Sequence, residues 1–469
     1  MLGGKPRLLL PNASSLHWLD ERRVVFSEIK KGLHLALVTA TESRTQSRDI
    51  YVPPTEAGMV HGSWPSPDGK WVLMIEMDAT GDLPCRVVSF DGSSSGIQVG
   101  PSGAPCEAGG WSTDSKWIYV SSGAGGNYHL WRQRFPSGAP EQITFGATNE
   151  TDVAATPDGA SIIAAVGNEQ QTIFLHDAAS ERRVTSESFA TSPAFSPDGE
   201  RLLYLVRSGN RAWLTGELWS LDITSGQRER LFPGILMTHY NVSRDGKKIV
   251  FTALDEHGTS GIWIARLDRR SPPRQLTSSD EHWPFFGHEG EILFVGSGRA
   301  AKFLYQISED GSQRKKVTLD PILSLINVSP DGEWAVIWAP APDDDKPNRV
   351  VAIPTRGGTP VTICQVPTSP WLGASQGTPL VSWTPDQKYL WLSFQYFPGR
   401  AQKALVIPLQ PGRALPVLPP GGISSDRDFA SLARVVTVPK GDVVPGATAG
   451  VYAFLHFSRQ SNLFRVKLR

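Results

Sequence analysis

Short apolar runs separated by tight polar turns recur along the whole chain, and residues 195–206, FSPDGERLLYLV, show the pattern most clearly. Pro197 sets φ for the first corner of a type I turn, the Asp198 carboxylate accepts N–H groups that follow it, and Gly199 takes the left-handed position. The next run is apolar at consecutive positions, which is typical of a strand buried on both faces. The stretch predicts a strand, a turn and a second strand, in a sheet packed between others.

The same turn signature returns at nearly regular intervals. Its acidic residue falls at positions 20, 68, 114, 158, 198, 245, 289, 331 and 386, at spacings of 40 to 55 residues. A period in the forties built from short strands predicts a β-propeller with four antiparallel strands in each blade. A tenth, degenerate unit follows near the C-terminus. We therefore expect an all-β fold of about ten repeat units over residues 1–469.

Ten units leave three layouts open, because rings of this kind usually hold about four to eight blades. The chain forms one large ring, two rings, or one complete ring with part of another. If it is subdivided, we expect residues 1–147 to hold units 1–3 and residues 148–469 to hold units 4–10. Residues 4–10 match the outer strand of a blade, whereas 451–457 and 462–468 indicate two middle strands. We expect the N-terminal strand to complete the last blade, which would remove an exposed edge.

Charge and composition narrow the range of partners. The 46 basic and 46 acidic residues cancel, so the chain lacks a net field that would attract nucleic acid or anionic lipid. The first ten residues lack the apolar run of a signal peptide or membrane span. We expect a protein, peptide or small ligand as partner, no nucleic acid, no direct membrane insertion, and no cofactor or metal.

The three cysteines do not form a metal-binding pattern. Cys85 and Cys106 fall in consecutive repeat units, and a disulfide between them would indicate an oxidising compartment. Spacing cannot establish connectivity, and buried free thiols are the alternative that the sequence favours. Cys364 lies far from both in the chain.

The Ser-Pro-Asp-Gly-Lys turns, each followed by a Trp-containing or Leu-rich strand, resemble the TolB-type, WD-repeat-like propeller repeats of bacteria over nearly the whole chain. Particular phrases, at 4–12, 38–44, 130–135 and 141–146, resemble the C-terminal propeller of bacterial receptor-type serine/threonine kinases. This second resemblance implies a sensor region outside a membrane, hence a periplasmic or extracellular location. Without an upstream kinase, a cytoplasmic location is the alternative.

No catalytic signature accompanies these resemblances. The chain lacks the kinase glycine-rich loop, the His-Arg-Asp loop and the Asp-Phe-Gly motif. Two stretches, 92–96 and 373–377, match G-x-S-x-G, but no helix is predicted after either, as a nucleophile elbow requires. The acidic run Asp343–Asp345 between prolines is typical of a solvated loop rather than a calcium site. We therefore expect the chain not to be an enzyme.

A candidate binding site comes from the first strand of each blade, which lines the axis of a propeller. Polar residues occur six or seven positions before the turn acid in five units: His61, Glu107, Asp152, His239 and His282. If the blades align, these side chains converge at one mouth of the channel and form a ligand site. Alternatively, each only caps neighbouring backbone groups or lies in water.

Three functions remain open at this level. The first is a non-catalytic binding or sensor module that recognises a protein or ligand, similar to the sensor region of a receptor kinase. The second is an enzyme, a hydrolase or lyase, that uses the polar residues at the strand entries. The third is a TolB-like envelope scaffold. The repeat pattern predicts the fold and does not choose among them.

Overall fold

The computed structural model describes fifteen stretches of the chain: 8–30, 34–54, 58–77, 83–177, 180–187, 189–207, 215–254, 259–297, 301–341, 348–366, 381–394, 403–424, 428, 432 and 435–468. Within these stretches the regular elements are overwhelmingly antiparallel strands. The predicted all-β propeller fold is confirmed. The Asp343–Asp345 run and the second G-x-S-x-G match lie outside the described residues.

The repeated turn forms the hydrogen bonds that its sequence predicts. In the 195–206 stretch the Ser196 hydroxyl donates to Asp198 Oδ1 at 2.5 Å and accepts the Arg201 N–H at 2.9 Å. Asp198 Oδ1 also accepts the Glu200 N–H at 3.0 Å, and Gly199 has a φ of 75°. The hydroxyl–carboxylate pair recurs at Ser66–Asp68, Ser112–Asp114, Thr156–Asp158, Ser243–Asp245, Ser329–Asp331 and Thr384–Asp386. Each pair closes the hairpin between the first two strands of a sheet.

Two of these turns carry a residue that the backbone disfavours, and the first is Ser115 with a φ of 59°. Gln387 has a φ of 57° where most copies have glycine. We expect Gln387→Gly to raise the free energy of unfolding by about 0.5–1 kcal/mol, because the left-handed strain exceeds the added chain entropy of glycine. Gly246→Ala is the reverse control: its φ is 69°, and an added Cβ would meet Pro197 Cδ only at 3.7 Å. Urea unfolding that ranked both variants on the same side of wild type would contradict this account.

The chain divides into two compact units. Of the described residues, unit 1 contains those within 8–169 and 459–468, and unit 2 contains those within 170–207 and 215–458. The strands β14 (Ser161–His176) and β37 (Tyr452–Lys467) each continue from one unit into the other. The predicted subdivision after residue 147 remains a prediction.

Unit 1 holds four sheets whose strands follow chain order. Sheet 1 has β1 (Ser14–Trp18), β2 (Arg23–Ile29), β3 (Leu35–Thr41) and β4 (Arg48–Tyr51); sheet 2 has β5 (Met59–Pro65), β6 (Trp71–Met77), β7 (Cys85–Ser89) and β8 (Ile97–Val99); sheet 3 has β9 (Cys106–Trp111), β10 (Trp117–Ser122), β11 (His129–Arg134) and β12 (Glu141–Gln142). Sheet 4 has β13 (Asn149–Ala155) beside residues 161–169 of β14, which pair on their other side with residues 459–467 of β37. A single parallel bridge, Leu35 to Met59, links sheets 1 and 2.

Apolar side chains join these four sheets in sequence. Val25 and Leu37 of sheet 1 pack with Val72 and Met74 of sheet 2, and separate clusters join sheet 2 to sheet 3 and sheet 3 to sheet 4. On sheet 1, a further cluster includes Leu10, which precedes β1 and is buried. Among the described residues of unit 1, no such cluster joins sheet 1 to sheet 4.

Cys85 and Cys106 are linked by a disulfide. They begin β7 and β9, their Cα atoms are 5.7 Å apart, and both side chains are buried between sheets 2 and 3. The alternative of two free thiols, which the sequence favoured, is therefore wrong for this pair. Cys364 in unit 2 is a buried free thiol, and burial raises its pKa to about 12.

Unit 2 holds six sheets. Sheet 5 has β36 (Val443–Pro445), residues 452–458 of β37, residues 170–176 of β14 and β15 (Glu181–Arg183). Sheet 6 has β16 (Ala190–Phe195), β17 (Arg201–Val206), β18 (Glu217–Asp222) and β19 (Arg228–Arg230). Sheet 7 has β20 (Met237–Val242), β21 (Lys248–Leu254), β22 (Ser260–Arg266) and β23 (Arg274–Gln275). Sheet 8 has β24 (Glu281–Phe286), β25 (Glu291–Ser297), β26 (Lys302–Ser308) and β27 (Lys315–Lys316). Sheet 9 has β28 (Ser324–Val328), β29 (Trp334–Ala339), β30 (Asn348–Pro354) and β31 (Val361–Val366). Sheet 10 has β32 (Val381–Trp383), β33 (Tyr389–Phe394), β34 (Lys403–Pro408) and β35 (Val436–Val438).

The cores of unit 2 form a closed cycle. One apolar cluster lies between each pair of successive sheets from sheet 5 to sheet 10. A sixth cluster returns from sheet 10 to sheet 5, where Trp391 and Val406 pack with Tyr452 and Phe454. Sheet 5 is assembled from two distant parts of the chain, so a pairing of β37 with β14 closes the cycle. Unit 2 is thus a six-bladed propeller, whose blades join without a free sheet edge between first and last.

The chain ends differ from expectation. The predicted N-terminal outer strand falls on 4–10, of which residues 4–7 lie outside the described residues and Leu8–Leu10 are not a strand. The C-terminal prediction of two middle strands is wrong, because 452–467 form one continuous sixteen-residue strand. The first half of this strand completes sheet 5 and the second half extends sheet 4. Because the two halves belong to different sheets, their sequence predicted two separate strands.

Candidate functional site

A β-bulge occurs in the first strand of three successive sheets of unit 1, at the positions that the sequence singled out. The register of β5 shifts between Val60 and Gly62, which leaves His61 as the extra residue. In β9 the extra residue is Glu107, and in β13 the shift spans Asp152 and Val153. Bulges re-aim side chains and are enriched next to binding and active sites. The bulges therefore present His61, Glu107 and Asp152 at equivalent places on neighbouring strands.

Glu107 is the most perturbed acid of this group. Its pKa is raised to about 7, mainly by burial and in addition by the negative charges of Glu169 and Asp152, against the opposing charge of Arg459. Desolvation by the surrounding protein lowers the pKa of His61, although the residue as a whole is exposed. Near neutral pH, Glu107 therefore exchanges a proton easily, and His61 is mainly the uncharged imidazole.

Arg459, from the C-terminal strand, holds the acidic residues of sheet 4. Its Nε lies 3.3 Å from Glu169 Oε1, and its Nη2 lies 3.7 Å from Asp152 Oδ2. Nη2 also donates to the Thr151 hydroxyl. Asp152 has a φ of 55° and a side chain that is 78% exposed. The group combines three carboxyls with one guanidinium, so ionisation of Glu107 makes a group that is already negative more negative by one charge.

A buried hydrogen-bond network fixes the start of β13 beneath this group. His129 Nδ1 lies 2.6 Å from Glu150 Oε2, and the Thr144 hydroxyl donates to the same oxygen at 2.9 Å. The Ser121 hydroxyl donates to the Glu150 carbonyl at 2.5 Å. Because Glu150 lies two residues before Asp152, these contacts hold the bulge in place and make it rigid enough to position a ligand.

Unit 2 carries bulges in its own first strands, and two predicted residues lie beside them. His239 follows the bulged Thr238 in β20. Its ring centroid is 4.8 Å from that of Phe285, and burial lowers its pKa to about 4. Its Nδ1 is inaccessible to solvent and has no hydrogen-bond partner among the described residues. A neutral ring packed on an aromatic side chain fits a core position better than a ligand-binding one.

His282 belongs to a polar cluster at the edge of sheets 7 and 8. Its Nε2 lies 3.0 Å from Asp280 Oδ1, and Asp280 also accepts the hydroxyls of Ser260 at 3.2 Å and Ser297 at 3.1 Å. The hydrogen bond from His282 is the main reason why the pKa of Asp280 lies well below its usual range. The adjacent bulge residue Trp283 has a φ of 52° and lies under Lys302 Nζ, 5.3 Å from its ring centroid.

This cluster does not form a hydrolase triad, although it contains a serine, a histidine and an aspartate. In a triad, one imidazole nitrogen contacts the serine and the other contacts the carboxylate. Here Nε2 of His282 is the nitrogen nearest both Asp280 Oδ1, at 3.0 Å, and the Ser260 hydroxyl, at 3.3 Å. Ser260 is itself buried. The arrangement satisfies the Asp280 carboxylate instead of activating a nucleophile.

The structure thus places the five predicted residues in two sets. His61, Glu107 and Asp152 belong to unit 1, and His239 and His282 belong to unit 2; one shared site for all five remains a prediction. Sequence reasoning missed Glu169 and Arg459, which β14 and β37 bring together from 290 positions apart. It also missed Asp280 and Lys302. No local motif marks these residues, because only strand pairing makes them neighbours.

The other candidate motifs of the described chain have structural roles. In the 92–96 match, the Ser94 hydroxyl accepts the N–H groups of Ser89 and Gly96 in a turn, without a following helix. Over the residues that the structure describes, no group of three or more histidine, cysteine or acidic side chains is arranged to hold a metal ion. No helix within the described stretches is long and apolar enough to cross a membrane.

Comparison with known proteins finds similar solved structures, all at low sequence identity. No protein-family model matches the chain. It is similar to the solved structure of TolB from Acinetobacter baumannii, with 20% identity, a TM-score of 0.28, and coverage of 62% of this chain and 79% of that one. It is also similar to oligogalacturonate lyase from Vibrio parahaemolyticus (14% identity, TM-score 0.30, coverage 82% and 95%). A third similar structure is a puromycin-hydrolyzing peptidase from Mycobacterium tuberculosis, with 15% identity, a TM-score of 0.34, and coverage of 78% of this chain and 59% of that one.

These similarities bear on the fold alone. At such identities and TM-scores, none of the activities in these names carries over to this chain. They do overturn one expectation: the prediction that the chain is not an enzyme is contradicted, because matching propellers include a lyase and peptidases. The lack of kinase motifs and of a nucleophile elbow does not exclude other kinds of enzyme. The matching structures are named as TolB proteins and propeller enzymes, and the kinase-associated resemblance gains no support from them.

Proposed function

We propose that the chain is a ligand-recognition propeller, and that unit 1 binds a cationic group of its ligand at the bulged strands β5, β9 and β13. The observation that carries this proposal is the convergence of Glu107, Asp152 and Glu169 on a single guanidinium, that of Arg459. With one positive charge against three carboxyls, the group attracts an ammonium or guanidinium. A sensor role like that of a receptor-kinase propeller is compatible with this binding, as is a TolB-like scaffold role.

Calorimetry with arginine amide as the cationic probe and N-acetylglutamate as the anionic one tests the proposal. At about pH 8, where Glu107 is ionised, we expect arginine amide to bind and N-acetylglutamate not to. Glu169→Gln should weaken binding at least tenfold, and so should a shift to about pH 5, because each removes a negative charge. Glu21→Gln, at an exposed position of the same unit, is the matched control. Equal binding of both probes, or binding unchanged in Glu169→Gln, would refute a cation site.

A second candidate, acid–base catalysis, is favoured by one specific observation. Burial places the pKa of Glu107 at about 7, where a carboxyl both accepts and donates protons at neutral pH. A panel of chromogenic esters and glycosides tests it. Hydrolysis whose pH profile bends near 7 and disappears in Glu107→Gln supports catalysis. Activity that persists in this variant, or no activity on the panel, leaves binding as the function of the site.

A further inference from the structure

The outer edge of sheet 4 differs from that of the other sheets in unit 1. Sheets 1 to 3 each have a short fourth strand, namely β4, β8 and β12. In sheet 4, residues 459–467 of β37 take the third position, and no described strand of unit 1 pairs with their outer edge. Residues 459 to 465 are all exposed, among them Leu463 at 76% and Phe464 at 51%. An unpaired edge of this length is a template for another strand.

The hydrogen-bond alternation of the ladder shows which groups face outward. The Leu468 N–H donates to the Ala160 carbonyl of the chain just before β14 at 3.0 Å. In an antiparallel ladder, alternate residues point both backbone groups to the same neighbour, so residues 464 and 466 also face β14. Leu463, Arg465 and Lys467 therefore direct their N–H and C=O groups to the free edge.

The charge of this edge indicates what it accepts. Between His456 and Leu468 the strand carries Arg459, Arg465 and Lys467, and no acidic residue. These three share a parity, so they lie on one face of the sheet with Leu463, whereas Val466 and Leu468 pack toward sheet 3. Two copies of this edge would place basic residues opposite each other, which is unfavourable.

We propose that the free edge of β37 between residues 459 and 467 binds an extended peptide segment, in which acidic residues alternate with apolar ones. The segment pairs antiparallel, as β4, β8 and β12 do in sheets 1 to 3. Its carboxylates face Arg465 and Lys467, its apolar side chains lie beside Phe464, and its backbone completes a four-stranded blade. Arg459 belongs to both proposals, because its guanidinium contacts Asp152 and Glu169 of the cation site, whereas Arg465 and Lys467 belong to the edge alone.

Fluorescence anisotropy with the capped, labelled peptides EVEIEVE and KVKIKVK tests the proposal on the full chain. We expect EVEIEVE to bind, with an affinity that falls as salt rises, and KVKIKVK to bind at least tenfold more weakly. Leu463→Pro removes an outward N–H without touching the β14 ladder, and should weaken binding at least tenfold. Phe464→Ala changes a neighbouring side chain but no backbone donor, and should have a smaller effect.

Charge reversal gives an independent test if Leu463→Pro does not fold. Arg465→Glu with Lys467→Glu should transfer the preference to KVKIKVK. Three results would overturn the proposal: equal binding of the two peptides, no binding of either up to about 1 mM, or an unchanged preference after charge reversal. Light scattering that shows a dimer which loses its self-association in Leu463→Pro would assign the edge to a second copy instead.

Discussion

Reduction of the Cys85–Cys106 disulfide is expected to lower the free energy of unfolding of unit 1 by about 3 kcal/mol. The bond closes a loop of 21 residues and ties the first strand of sheet 3 to the third strand of sheet 2. Among the described residues of unit 1, no apolar cluster joins sheet 1 to sheet 4, so its sheets gain less from mutual packing than those of unit 2. Urea unfolding with and without dithiothreitol measures the effect.

The matched variant for this experiment is the double substitution Cys85→Ala with Cys106→Ala. It should unfold like the reduced wild type and should not respond to dithiothreitol. Cys364→Ala should keep the full response, because Cys364 is a free thiol in unit 2. Thiol titration of the denatured chain should detect one thiol without reductant and three with it. Detection of three thiols in the unreduced protein would show that the bond does not form.

Replacement of Glu107 by Gln is expected to stabilise unit 1 at alkaline pH and to have little effect at acidic pH. The folded-state pKa of Glu107, about 7, lies above the ordinary value of 4.5. Folding therefore favours the protonated carboxyl, whose contribution is fully present below about pH 4.5 and is lost as pH rises through 7. At about pH 8 the wild-type carboxylate costs about 2–3 kcal/mol, which the neutral amide avoids.

Unfolding measured in urea between about pH 5 and pH 8 tests this sign directly. The difference between Glu107→Gln and wild type should grow from less than about 1 kcal/mol at pH 5 to about 2–3 kcal/mol at pH 8. Glu21→Gln, with an exposed side chain, should follow wild type at every pH. A carbon-13 NMR titration of the Glu107 carboxyl should have its midpoint near 7. A constant difference at all pH values would mean that the substitution acts through packing rather than ionisation.

The loss of stability caused by the buried Glu107 carboxylate indicates that this residue has a function other than stabilising the fold. An apolar side chain at the same bulge would avoid the ionisation penalty, so Glu107 is a poor choice for stability alone. The cationic ligand that we propose would offset this ionisation cost, because a bound cation stabilises the ionised Glu107 carboxylate. The pH dependence of stability and the pH dependence of ligand affinity should therefore have opposite signs, which links the two measurements.

Much of the fold was readable from local sequence. The Ser-Pro-Asp-Gly turns, such as Ser196–Gly199, predicted both the hairpins and their hydrogen bonds, because these depend only on residues within about five positions. The polar residues His61, Glu107 and Asp152 were found from their distance to the turn, because the length of each first strand is nearly constant. The same rule also selected His239, whose neutral ring packs on Phe285 and fits a core position.

The long-range features depend on tertiary structure. The pairing of β14 with β37 closes the six sheets of unit 2 and brings Arg459 to Asp152 and Glu169. It leaves the edge around Leu463 without a partner among the described strands of unit 1. These strands lie almost 300 positions apart in sequence, and their pairing depends on the packing of many sheets at once. The amino-acid sequence determines the repeating unit because a hairpin is a local structure. The number of blades in a cycle, the disulfide and the charge of the site are decided only when separate sheets pack together.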